Sequence, residues 1–164
     1  FGRVHGLGPA KAAELTAAME LARRIRERAH DPGEKLDAPA KVWARLEPFA
    51  AGLAVEKCWV LCLNRRNRLL ALHEVSSGTA TSSLLHPREV FRQALKHAAS
   101  AAIVAHNHPS GDPTPSPADR AVTRQLADAG RVVGVELLDH VVIGRPEADP
   151  AGKGWFSFGE AGLI

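Results

Sequence analysis

The chain has 164 residues, enough for one domain with at most a short appendage, and for a core that needs neither disulfides nor metal. Apolar residues make up 45% and charged residues 24%, the balance of a soluble globular protein. No apolar run reaches the eighteen or so residues of a membrane helix, and no secretory signal opens the chain, so an integral membrane role is excluded. Phe1 begins the sequence and Met19 is its only methionine, as in a trimmed chain. The net charge is +3, and its distribution is uneven. Residues 1–30 hold six basic side chains against three acidic ones, and the remainder balances. That pattern fits either a solvated helix face or a nucleic-acid-facing appendage on a neutral body.

Pro9 suits the first position of a helix over 9–29, where Leu15, Ala18, Met19, Ala22 and Ile25 recur at helical spacing. His30 to Gly33 breaks it, and a linker runs over about 30–38. A second helix spans about 39–52. Lys57 to Leu63 is a strand, Asn64 to Arg68 a polar turn, and Leu69 to Val75 the return strand of a hairpin. Ser76 to Ser83 is small and polar, a loop or a bulged extension. Pro87 opens a helix over about 87–99, and Ala101 to Ala105 is a buried strand. A loop over 107–116 leads to a helix from Pro117 to Ala129, with Gly130 as its terminating glycine. Strands follow over 131–138, 140–143 and 155–158. Strands separated by helical segments give an α/β fold, a mixed sheet with flanking helices, preceded by a short helical N-terminal segment. The organisation reads as residues 1–36, then a domain over 37–164.

Cys58 and Cys62 sit four apart in an apolar run, which is neither a disulfide framework nor a zinc knuckle. They read as small buried hydrophobes in a reducing, cytoplasmic compartment.

The chemistry concentrates in His106-Asn107-His108 and the Pro/Gly/Ser/Asp loop that follows, up to Asp119. Histidines at i and i+2 at a strand end point the same way, close enough to share one metal ion. Asp119, in the first turn of the next helix, is the third ligand candidate. Two nitrogens and one oxygen suit zinc, and three protein ligands leave a fourth position for water, which zinc makes acidic near pH ~7. Ser116 to Asp119 is equally a helix capping box, and the two readings are compatible. Asp112 reads as a turn residue. Asp139-His140 either orients a ligand from behind or forms its own strand-end pair. His5, His30, His73, His86 and His97 have no partner at ligand spacing.

His106-x-His108, seven residues, then Ser116-x-x-Asp119 is similar to the JAMM (MPN+) metalloprotease signature. The longer string from His106 to Asp119 resembles the RadC family of bacterial JAMM-domain proteins, as do His86 to Phe91, Leu138 to His140, and the Ser157-Phe158 tail with Gly162. The likeness covers about residues 38–164. It implies a JAMM/MPN fold of cytidine-deaminase-like architecture, one zinc per chain, and a peptide or isopeptide substrate. It further implies Glu56 as general acid/base, with Glu74 the rival, and Ser116 as an oxyanion donor. Val4 to Ala12 looks like part of a helix-hairpin-helix, which would give DNA contacts through Gly6, Gly8 and Lys11 and a DNA-repair association. The expected function is a zinc metallopeptidase in the bacterial cytoplasm. A DNA-binding repair module without proteolysis and a metal-dependent nuclease are the alternatives. A zinc deaminase is disfavoured because the P-C-x-x-C half of its signature is absent.

Overall fold

The computed structural model describes residues 8–28, 33–75 and 85–164, which divide into two compact units, 1–31 and 32–164. Within the first unit lies helix α1 (Pro9–Arg28). Gly6, His5 and His30 lie outside the described residues, as does the expected small polar loop after Val75. Among the described residues no helix is long and apolar enough to cross a membrane.

The second unit is built on a five-stranded sheet in the order β2-β1-β3-β4-β5. Strand β1 (Cys58–Leu63) lies between β2 (Leu69–Glu74) and β3 (Ala101–Asn107), antiparallel to both. Asn64 forms the hairpin turn: its side-chain oxygen accepts from the amides of Arg66 and Arg68 at 2.8 and 3.1 Å. Strand β4 (Glu136–Ile143) runs parallel to β3, and β5 (Trp155–Ser157) closes the sheet antiparallel. Both faces are covered, so β1 and β3 are buried at every position and read as unbroken apolar runs. Helix α2 (Pro39–Ala50) packs Val42 and Leu46 against Leu61, Leu63, Ile103 and Val141 on one face. Helices α3 (Pro87–Lys96) and α4 (Pro117–Val133) cover the other, with Val90, Phe91 and Leu126 against Val60, Cys62 and Val104.

Two expectations fail in the same region. Helix α4 does not stop at Ala129 but continues to Val133, and its C-terminal glycine is Gly134, in the left-handed conformation at φ 72°. Gly130 is glycine for space: a Cβ there would lie 2.5 Å from the Val135 carbonyl oxygen and 3.2 Å from the Phe91 ring. Nor does Asp139 split two strands. Its carboxylate accepts from the Ser157 hydroxyl at 2.7 Å and the Gly159 amide at 2.9 Å. One strand therefore passes through it, with a register shift where β3 pairs across Leu138.

Candidate metal centre

The parallel connection from β3 through α4 to β4 brings a strand end and a helix start together, where α/β proteins place ligand sites. His106 is the penultimate residue of β3 and is 3% exposed. His108 follows the strand and donates its backbone amide to the Ile143 carbonyl at 3.0 Å. The Nε2 atoms of the two rings stand 3.0 Å apart. Asp119, at the third position of α4, places Oδ1 3.3 Å from Nε2 of His106 and Oδ2 3.6 Å from Nε2 of His108. Ligand atoms of all three lie within 4.8 Å of one another, so the group can hold a metal ion.

The donor chemistry fits a cation. Nδ1 of His108 lies 2.7 Å from the backbone carbonyl of Asp112. A carbonyl only accepts, so Nδ1 carries the hydrogen and Nε2 is free to ligate. Burial opposes ionisation of Asp119, but the neighbouring His106 and His108 rings outweigh it and hold the carboxyl well below the usual range. The Asp119 carboxylate beside Nε2 in turn raises the pKa of His108. The geometry calls for positive charge between the rings and the carboxylate.

Ser116 caps α4. Its hydroxyl donates to Asp119 Oδ2 at 2.6 Å and accepts from the Asp119 amide at 3.1 Å, while its own amide donates to the same Oδ2 at 2.7 Å. The cap and the candidate ligand are one structure, because the bonds to Oδ2 leave Oδ1 turned toward His106. Glu56, just before β1, lines a cavity of about 650 Å³ together with His106, His108, Ser116 and Asp119. Glu74 is not among the residues lining that cavity; it pairs with Lys57 at 2.9 Å. Asp112 makes an Asx turn, accepting from the Thr114 amide at 2.9 Å. At the start of α1, Gly8 and Lys11 are exposed.

The sequence left Asn107 and Arg145 unnamed as supports, and it offered His140 only as one of two readings. Asn107 is 2% exposed, and its amide clamps the chain on both sides of Glu56. Its oxygen accepts from the Lys57 amide at 2.7 Å, and its nitrogen donates to the Val55 carbonyl at 3.1 Å. Arg145 donates to the Ser110 carbonyl at 2.7 Å, and its backbone amide donates to the Gly111 carbonyl at 2.7 Å, fixing the loop after His108. His140 is fully buried and contacts His106 Nδ1 at 2.9 Å. Burial holds the pKa of His140 well below the ordinary histidine value. Alternation along β3 was the available signal for Asn107, since a residue between two inward ligands must face the other way. His73 and His97 are not solitary either: their Nε2 atoms meet at 2.7 Å. His86 caps α3 by accepting from the Arg88 amide at 3.1 Å.

A mixed five-stranded sheet between helices, with two histidines and a carboxylate gathered at the end of β3, defines a JAB/MPN-type domain with a candidate metal centre. A family model described as RadC-like JAB domain matches residues 36–163, and the chain belongs to that family. It is 45% identical to a UPF0758 protein of Symbiobacterium thermophilum over 163 residues, 98% of this chain and 65% of the relative. It is 47% identical to a UPF0758 protein of Desulforudis audaxviator over 149 residues, 86% of the chain and 61% of the relative. A third, from Xanthomonas oryzae pv. oryzae, is 48% identical over 155 residues, 93% of the chain and 68% of the relative. The chain thus spans less than two thirds of the first two relatives.

Proposed function

We propose that the chain carries a zinc-dependent amide hydrolase site, a peptidase or isopeptidase of the JAMM type, acting in the cytoplasm. The observation that carries this reading is the convergence of His106, His108, Asp119 and Glu56 on one cavity. His106, His108 and Asp119 would hold one zinc ion, which supplies Lewis acidity that makes water nucleophilic at neutral pH. Glu56 takes a proton from the water attacking the carbonyl carbon and delivers it to the nitrogen as the C–N bond breaks. The Ser116 hydroxyl, turned from Asp119 toward the substrate, donates to the developing oxyanion, a contribution of roughly 3–4 kcal/mol for a well-placed donor. Asn107 holds the Glu56 segment by its flanking backbone.

The lining favours an amide over a phosphodiester. Among the described residues that line the cavity there is no lysine or arginine, the side chains that most often neutralise phosphates. The buried, unpaired Cys58 and Cys62 support a reducing compartment. A second reading concerns the first unit: its basic excess and the exposed Gly8 and Lys11 support a sequence-blind DNA contact and a repair association, with Gly6 outside the described residues.

One experiment addresses both readings. Wild type and Glu56→Gln are incubated with peptide and isopeptide substrates and with labelled duplex DNA. The proposal expects amide cleavage by wild type, its loss in Glu56→Gln with metal retained, intact DNA, and a salt-sensitive mobility shift. Equal turnover by Glu56→Gln would remove the general base. Chelator-sensitive DNA cutting would replace the peptidase with a nuclease, and an unshifted duplex at low salt would end the DNA contact.

A further inference from the structure

Behind the ligands, a closed hydrogen-bond path joins two of them through residues that touch no substrate. His140 on β4 is fully buried and stacks on the Phe158 ring, with centroids 4.9 Å apart and planes within 9°. Its Nε2 lies 2.9 Å from Nδ1 of His106, and its Nδ1 lies 2.6 Å from Oγ1 of Thr123. Thr123 is 1% exposed, and its Oγ1 stands 2.6 Å from the Asp119 backbone carbonyl.

The directions of these bonds follow from valence. Two oxygens at 2.6 Å need a hydrogen between them, and the carbonyl has none, so the Thr123 hydroxyl donates to Asp119. Its oxygen then accepts from His140, which places the His140 hydrogen on Nδ1. The Nε2 of His140 is left with a lone pair and accepts from Nδ1–H of His106. The hydrogen of His106 is thereby fixed on Nδ1, and its Nε2 lone pair faces His108 and Asp119. Each bond depends on the next, and the buried side chains keep water from substituting.

We infer that His140 and Thr123 are positioning residues that set the tautomer and aim of His106 by tying it, across three elements, to the backbone of Asp119. The inference rests on the proposed metal centre. Its consequence is a ligand set oriented when the protein folds rather than when metal arrives. Outer partners of metal-bound histidines commonly govern affinity by about 10–100-fold.

The test uses the full chain and two readouts. Zinc affinity is measured by competition with a chromophoric chelator for wild type, Thr123→Val, Thr123→Ser and His140→Phe. Nitrogen NMR of the metal-free wild type reads the His106 tautomer. The expected result is the Nδ1–H tautomer, a loss of about 10–100-fold in zinc affinity for Thr123→Val and His140→Phe, and recovery to near wild type in Thr123→Ser. A merely structural role for Thr123 would not produce that tautomer and rescue together. An Nε2–H tautomer, or wild-type affinity in a folded Thr123→Val, would overturn the inference. Should Thr123→Val not fold, Thr123→Ser and the tautomer still decide it. A wild type that binds no zinc would overturn the metal centre instead, and the tautomer would still decide the hydrogen-bond path.

Discussion

Asn107 separates His106 from His108 in sequence, yet its amide serves the segment that carries Glu56. Removing it leaves the Lys57 amide and the Val55 carbonyl without their partner. Asn107→Ala is therefore expected to lower stability by about 1–3 kcal/mol, seen as an earlier urea midpoint, and to retain metal. An unchanged midpoint would mean that the clamp contributes nothing. At this scale the sequence was legible where chemistry is local. His106, His108 and Asp119 lie within fourteen positions, which made them ligand candidates, while the oxyanion role of Ser116 came only with the family resemblance. A supporting role for His140 was one of two open readings, but the pairings themselves were not legible, because the partners are distant in the chain: Asn107 reaches 50 residues, Arg145 reaches 35, and Thr123 meets His140 17 residues away. No periodicity records such pairings. Glu74 pairs with the Lys57 side chain and Glu56 lines the cavity, a difference that no pattern in the sequence records.

Among the elements, starts were plainer than ends. All four described helices begin at a proline, Pro9, Pro39, Pro87 and Pro117, which presets the backbone of a first turn and needs no amide partner. The end of α4 was misread because a glycine that gives room for packing looks, in sequence, like one that ends a helix. Gly130→Ala separates the two. In an open helix that change would gain about 1 kcal/mol. Against the Val135 carbonyl and Phe91 it is expected to cost about 1–3 kcal/mol by urea unfolding. A stabilised variant would contradict the packing described for α4. The same helix carries Asp119 in its first turn, so its seating against α3 and the sheet also sets the aim of the carboxylate.

Over the whole molecule, the alternation of helical spacing with short apolar runs of strand length made the α/β class readable, while the strand order required the pairing itself. The apolar runs of β1 and β3 announced burial on both faces, and β3 delivers the two histidines to one sheet end. The chain spans less than two thirds of its first two relatives. The central claim nevertheless concerns this site: His106, His108 and Asp119 form a metal centre. Elemental analysis of the purified chain and of His108→Ala tests it most directly. The account predicts about one zinc per chain in wild type and its loss in the variant. Absence of metal in the wild type after zinc is supplied, or equal zinc in both proteins, would contradict it.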